Sequence, residues 1–297
     1  ALSSAASDVY KRQYMICESI NIHEDMDKIK SEILRFDGAI ICDITGQTRN
    51  DIIKYCFENS KRIYISPKIS DIIIRGGTDI NLFDSPLLLC RNSGLSFEQR
   101  LFKRIFDIVV SVIGLIILSP FMLIIAAAIK IDDGGSIIYK QKRLTINGKE
   151  FFVYKFRSMI PNAEKNGVPQ LATGSDSRIT RVGKFLRKCR LDELPQLFNI
   201  IKGDMSVVGP RPERPELTEK YEREMPEFKF RLKVKAGLTG YAQVTGVYDT
   251  TPYDKLKMDL MYIERYSMVM DLRIILMTIK TMISPGEMNS EADKEKY

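Results

Sequence analysis

A chain of 297 residues, 44% hydrophobic and 28% charged with a formal net charge of +7, can build more than one core. Its single histidine, His23, lies in a polar stretch, which nearly excludes histidine-dependent triads and histidine metal sites. Five cysteines, at positions 17, 42, 56, 90 and 189, are odd in number and show no C-x-x-C, so they indicate neither a zinc site nor a disulfide framework and fit a reducing compartment.

Residues 1–13 match no pattern that follows. Positions 8–13 read DVYKRQ, the translation of one frame of a common sequencing adaptor, so the expectation is an assembly artefact and a natural protein that extends further upstream. From 14 to 92 strand and helix patterns alternate: strand 39–44, helix 49–59, strand 62–65, helix 68–75 and an apolar strand 87–90. That order predicts a small parallel α/β, Rossmann-like module. Gly76-Gly77 is not a G-x-G-x-x-G after a strand, so a packing or regulatory role is preferred to a nucleotide site.

A linker at 93–101 leads into the one membrane-class segment. No residue from 108 to 129 is charged, and as a straight helix these positions would reach about 33 Å, roughly the hydrocarbon thickness. Ser119-Pro120 falls in the middle, where proline removes a backbone bond. Basic residues flank both ends: Arg100, Lys103 and Arg104 before, Lys130, Lys140, Lys142 and Arg143 after. The positive-inside rule therefore selects no single side, and a helix broken at Ser119 and Pro120 that returns to the face it entered satisfies both facts. The re-entrant segment is assigned to 102–132.

Residues 140–190 contain thirteen Lys or Arg against three acids, a concentration that attracts phosphates, anionic lipid or nucleic acid. No groove-reading module accompanies it, so nucleic acid is not expected as a partner. Two strand-like runs, 137–141 and 150–156, flank Asn147-Gly148, a strong hairpin signal. A polar loop near the site is expected at 162–177 and a basic helix at 180–190, with Val182, Phe185 and Leu186 on its apolar face.

The next stretch, Arg187 to Glu213, carries the chemistry. Leu194, Leu197, Phe198 and Ile201 make the apolar stripe of a short helix, which places Asp192 and Glu193 at its N-terminus. Backbone N–H groups and the macrodipole favour ionised carboxylates there. Such a pair serves as a divalent-metal ligand or a nucleophile, although Asp192 is also an ordinary N-cap. Arg211 sits between Pro210 and Pro212, so an extended, stiff backbone presents its guanidinium, as bidentate phosphate binding requires.

Four motifs in this order resemble the monotopic phosphoglycosyl transferases, the bacterial sugar transferase family that initiates glycan assembly on polyprenyl phosphate. They are Lys155-Phe156-Arg157-Ser158-Met159, Arg190-Leu191-Asp192-Glu193-Leu194-Pro195-Gln196, Val208-Gly209-Pro210-Arg211-Pro212-Glu213, and the run from Gly237 to Gly246. In the last, Ala236, Tyr241 and Thr245 replace the family's usual proline, tryptophan and asparagine. Its glycines allow close backbone approach to a ligand, and a turn-rich hairpin explains them equally well.

The resemblance implies transfer of a sugar 1-phosphate from a UDP-sugar to undecaprenyl phosphate, with release of UMP. In that course Asp192 attacks the sugar-linked phosphate, and the lipid phosphate then displaces the phosphosugar. The site assigned on this basis has Asp192 and Glu193 as catalytic residues and Mg²⁺ ligands, with Arg211, Lys155 and Arg157 as phosphate clamps. The expected fold is the N-terminal Rossmann-like module followed by an α+β catalytic domain at 133–283. A re-entrant helix and interfacial amphipathic helices anchor it to the cytoplasmic face of a bacterial inner membrane, in contact with membrane lipid. Helices expected at 254–266 and 272–282 are read evenly as core or interface, and 284–297 as a disordered tail. A homodimer is left open, and a catalytically silent membrane scaffold is the rival reading.

Overall fold

The computed structural model describes residues 16–44, 46–82, 84–90, 94–160, 176, 178–246 and 250–283. The expectations for 1–13, for the loop at 162–177 apart from Asp176, and for the tail lie outside these residues. Two compact units are present, one ending at Asp71 and the other beginning at Ile72.

In the first unit, α1 (Met26–Arg35) precedes β1 (Gly38–Ile41), α2 (Gly46–Glu58) and β2 (Arg62–Ile65). The two strands pair in parallel, Gly38 opposite Arg62 and Ile41 opposite Ile65, so α2 is the crossover that a parallel pair requires. Ile29, Ile33, Ile41, Ile52 and Cys56 form the core. Gly38 is needed at the strand start because a Cβ there would lie 2.6 Å from the Arg62 carbonyl oxygen. Arg49 of α2 holds Asp71 by two bonds, of 2.6 and 3.0 Å.

The described residues extend this parallel sheet no further. After α3 (Ile69–Arg75), the apolar run expected as another parallel strand is β4 (Ser85–Leu89), which pairs antiparallel with β3 (Thr78–Leu82), Thr78 opposite Leu89. Only positions 83 and 84 separate the two strands, far too few for a crossover. The described residues thus show a two-stranded parallel pair and a separate antiparallel hairpin, not a Rossmann-like sheet.

The second unit is built along α4 (Phe97–Asp133). Its start is a capping box: Ser96 Oγ accepts from Gln99 N, and Gln99 Oε1 accepts from Ser96 N. Gly134, at φ 70°, ends it. The expected break at Ser119 and Pro120 does not occur, since the helix runs through both. Pro120 deprives the Ile116 carbonyl of its i+4 donor, and Ser119 Oγ donates to that same carbonyl at 3.0 Å, replacing the lost bond. One stripe of α4 faces the rest of the unit along its length. Lys103, Asp107 and Ser111 are buried, Gly114 approaches Leu197, and Ile125 and Ile129 pack with Phe156 and Leu186. The other faces expose Ile113, Ile116, Ile117, Phe121, Leu123 and Ile124, a surface that water does not favour.

The remaining elements carry the site. Strands β5 (Ile138–Leu144) and β6 (Glu150–Phe156) pair antiparallel around the expected turn, where Asn147 and Gly148 take φ of 57° and 72°. They are followed by α5 (Arg181–Lys188), α6 (Gln196–Lys202), β7 (Ser206–Val208), α7 (Pro215–Glu224), β8 (Gly237–Thr239), α8 (Tyr241–Thr245), α9 (Pro252–Glu264) and α10 (Met268–Ile283). The Gly237 to Gly246 run is no hairpin: β8 lies parallel to β7 and leads into α8. Its glycines admit the Gly209 backbone, which a Cβ at Gly237 or Gly240 would strike. In α10, Asp271 and Ile274 are buried, while Val269, Leu272, Leu276 and Ile279 are exposed.

The apolar stripe expected for α6 is only half buried. Leu197 is inside and Phe198 is exposed, while Asn199 is 0% exposed. Its Oδ1 accepts from Tyr154 N at 2.9 Å and its Nδ2 donates to Phe152 O at 2.8 Å, pinning α6 to β6. Asn199→Ala would leave two partly buried backbone groups without these partners. It is expected to lower stability by about 2–4 kcal/mol in denaturant titrations of the detergent-solubilised protein. A loss below about 0.5 kcal/mol, the scale of a neutral surface change, would mean that this anchor carries no weight.

Candidate active site around Asp192 and Glu193

Three chain segments meet at this site. Helix α5 is seated first: its Thr180 cap accepts from Gly183 N, and Gly183 lies so close to the Ser158 backbone that a Cβ would collide with it. Arg190, in the left-handed region at φ 54°, turns the chain into a single 3₁₀ turn, Leu191–Glu193. The acidic pair therefore does not occupy the first turn of α6, as expected, but a separate turn before it. The neighbouring N–H groups are used locally: Glu193 N donates to Arg190 O, Leu197 N to Leu194 O and Phe198 N to Pro195 O. Two side-chain cations, and not a helix terminus, hold Glu193.

The two adjacent carboxylates have opposite environments. Glu193, with its side chain 14% exposed, accepts on one oxygen, Oε1, from Lys155 Nζ at 2.7 Å and Arg211 Nη2 at 3.1 Å. Burial opposes its charge, but Arg211 and Lys155 outweigh burial and hold the carboxyl at about 2. Among the described residues no cation lies within ion-pair distance of Asp192. Burial raises its pKa, Lys155 lowers it, the neighbouring Glu193 charge raises it further and Arg187 pulls it down. Glu193 is thus locked as an anion, and Asp192 stays uncommitted with raised basicity.

Lys155 reaches the site from the end of β6, where burial pulls its ammonium below the ordinary value against the pull of Glu193. Arg211 is 46% exposed, leaving part of its guanidinium open to a ligand. Arg187 was not singled out from sequence. It stands on α5 near enough to Asp192 to bias its charge, and its Nη1 is buried without a hydrogen bond. Its place in a run of four basic residues concealed it. Arg157 is buried, and its guanidinium packs against Gly135, where a Cβ would collide with it.

The segment carrying Arg211 is fixed through its carbonyls. Pro210 O accepts from Gly237 N at 2.9 Å, Arg211 O from Arg231 Nη2 at 3.0 Å, Pro212 O from Arg143 Nη1 at 3.0 Å and Glu213 O from Leu144 N at 3.0 Å. Arg231 is in turn held by buried Asp259 at 2.8 Å. Stiffness at Arg211 therefore comes from four external donors in addition to the two prolines. Ala236, standing where the family usually has proline, donates its N–H to Thr145 Oγ1 at 3.2 Å, a bond that proline cannot make.

No group of three or more acids, cysteines or histidines that could cage a metal occurs among the described residues. Asp192 and the free oxygen of Glu193 still fit Mg²⁺, which commonly binds one or two carboxylates together with substrate phosphates. The donor set is all oxygen, as a hard cation requires.

Residues 98–285 match the family model described as bacterial sugar transferase. A UDP-N-acetylgalactosamine-undecaprenyl-phosphate N-acetylgalactosaminephosphotransferase of Aeromonas hydrophila is 42% identical over 185 residues, covering 61% of this chain and 44% of the relative. A UDP-glucose:undecaprenyl-phosphate glucose-1-phosphate transferase of Klebsiella pneumoniae is 43% identical over 211 residues, 69% of this chain and 43% of the relative. The chain thus spans less than half the length of these two proteins. The exopolysaccharide production protein PSS of Rhizobium leguminosarum bv. phaseoli is 40% identical over 194 residues, 62% of this chain and 96% of the relative.

The Glu193 clamp has a stability signature. Its folded pKa of about 2 lies below the ordinary 4.5, so its charge contributes stability that is fully present above pH 4.5 and lost as pH falls through about 2. In thermal melts across that range, wild type should exceed Glu193→Gln most above pH 4.5, and the gap should close toward pH 2. A gap independent of pH would separate the stability of the site from this ionisation.

Proposed function

Because the chain belongs to the bacterial sugar transferase family, we propose that it transfers a sugar 1-phosphate from a UDP-sugar to undecaprenyl phosphate and releases UMP. This is the first membrane step in assembling an exopolysaccharide, capsule, O-antigen or related glycan. The names of the relatives support the substrate pair, and the contrast between locked Glu193 and uncommitted Asp192 carries the chemical reading.

Asp192 is the nucleophile. Its Oδ attacks the sugar-linked phosphorus, the bond from that phosphorus to the bridging oxygen breaks, and UMP leaves with the electron pair. A phosphate oxygen of the lipid then attacks the same phosphorus, and the Asp192 carboxylate is released unchanged. Raised basicity makes Asp192 a better nucleophile, and burial strengthens its interactions with charge developing nearby. Lys155, Arg187 and Arg211 hold the phosphate oxygens, and Glu193 fixes two of these cations in position. Arg157 acts by supporting the turn at Gly135. Asp192 and Glu193 would hold Mg²⁺, which would neutralise part of the diphosphate charge.

The proposal places α4 in one leaflet of the bacterial inner membrane, with the catalytic domain on the cytoplasmic face. Contacts with that single domain run from Lys103 to Ile129, about 39 Å along a straight helix. A helix crossing the bilayer would carry one of these ends, and the domain packed on it, through the hydrocarbon. Entry and return on one side avoids this, and it requires α4, continuous through Pro120 here, to bend at that residue in lipid. The exposed faces of α4 and α10 then meet lipid.

The test is UMP release from UDP-glucose and UDP-N-acetylgalactosamine with undecaprenyl phosphate. Folded Asp192→Asn should lose at least about a thousandfold in kcat, the scale of losing a nucleophile or its essential support. Wild type should stop in excess EDTA, and its kcat/KM should fall with acid through the raised pKa of Asp192, where Glu193 is still charged. Near-normal turnover by Asp192→Asn would return that residue to a structural cap, and full turnover in EDTA would remove the metal.

A further inference from the structure

A cavity of about 440 Å³ lies beneath the N-terminal arm of α4 and shares no lining residue with the Asp192 site. Its walls combine apolar side chains, among them Leu95, Leu101 and Val234, with the cations Arg100, Arg104 and Lys235. The charges there are not balanced. Asp107, on the same wall, is committed to Ser206 Oγ and Val207 N, and Lys103 is paired with Asp271 at 2.6 Å. Asp204, the other acid that acts on Lys235, is paired with Lys202 at 3.1 Å. Among the described residues no carboxylate lies within ion-pair distance of Arg100 or Lys235.

Two of the cations converge on one point. A Cβ on Gly203 would stand 3.5 Å from Arg104 Nη2 and 3.8 Å from Lys235 Nζ. Burial, with Arg104 adding to it, pulls the Lys235 ammonium below its ordinary value, as expected of a cation that lacks a counterion. Arg104 keeps its orientation because Nη1 and Nη2 donate to the carbonyls of Ile200 and Ile201 at the end of α6. At the rim, Phe97 and Leu101 are exposed, and Phe102 and Ile105 continue the apolar surface along α4.

We propose that this cavity binds the phosphate of an anionic phospholipid through Lys235, Arg104 and Arg100, with an acyl chain lying over Leu101 and Ile105. A free phosphate would satisfy the cations and leave the apolar wall bare, whereas a phospholipid meets both. The proposal rests on the membrane placement of α4 given above.

The experiment uses the full chain in neutral-detergent micelles doped with phosphatidylglycerol, phosphatidylcholine or undecaprenyl phosphate, read by native mass spectrometry. Wild type should retain one phosphatidylglycerol in preference to the other two lipids, and excess inorganic phosphate should not displace it. The Arg100→Gln/Lys235→Gln double variant should bind phosphatidylglycerol at least about tenfold more weakly, as loss of charge-assisted bonds implies, with UMP release unchanged. Lys235→Arg, which keeps the charge, should retain the lipid and covers the case in which the double variant fails to fold. Equal retention by wild type and the double variant, equal retention of phosphatidylcholine, displacement by inorganic phosphate, or preference for undecaprenyl phosphate would each overturn the proposal. Detergent-phase partitioning separates the two readings. Wild type that stays in the aqueous phase would sink the membrane placement, and wild type that partitions but ignores phosphatidylglycerol would sink only the cavity.

Discussion

One carboxylate oxygen, Glu193 Oε1, joins the three segments that make the site. It accepts from Lys155 at the end of β6 and from Arg211 in the proline-flanked segment, while Glu193 itself belongs to the 3₁₀ turn. Burying a carboxylate is costly, and two cations at hydrogen-bond distance reverse that cost. Once Glu193 has taken both, no direct ion pair is left for Asp192, and burial raises its basicity. The difference between two neighbouring acids is thus a consequence of one being clamped, and it divides the proposed labour between an electrostatic anchor and a nucleophile.

The clamp depends on supports that lie outside it. Asn199 fixes α6, and with it the turn, to β6 through two bonds to backbone. Arg231 and Arg143 hold the carbonyls beside Arg211, and Asp259 holds Arg231. Asp107 of α4 accepts from Ser206 and Val207 of β7, the strand that leads directly into the Arg211 segment. Helix α4 is therefore a structural wall of the unit that carries the site, so the membrane placement proposed for it and the geometry of the site would be coupled by contact.

Much of this was legible in the sequence, where local pattern and tertiary structure agree. The Asn147-Gly148 hairpin, the basic helix after Thr180 and the long apolar helix follow from short-range rules, and Asp192, Glu193, Lys155 and Arg211 stood in recognisable motifs. What sequence reading missed depends on distant partners. Asn199 interrupts an apolar pattern because it serves strand β6, and Arg187 looked like one charge among several until the fold set it beside Asp192. Pro120 was read as a break because its lost bond is visible in sequence, whereas the replacement offered by Ser119 is visible only in coordinates. Arg157 shared a motif with Lys155, and two residues apart on a strand both would share one face, but β6 ends at Phe156, so the pattern does not govern Arg157: Lys155 reaches Glu193, and the Arg157 guanidinium lies against Gly135.

The central claim is that Asp192 bonds covalently to the phosphosugar, and peptide mass spectrometry of the quenched enzyme tests it most directly. The enzyme is incubated with UDP-glucose or UDP-N-acetylgalactosamine and no lipid acceptor, quenched in acid and digested. The account predicts one phosphosugar per chain, located on the peptide that contains Asp192 and discharged when undecaprenyl phosphate is added before the quench. Product formation within a single turnover, with no adduct on that peptide at any time, would contradict it and favour direct transfer between the two substrates.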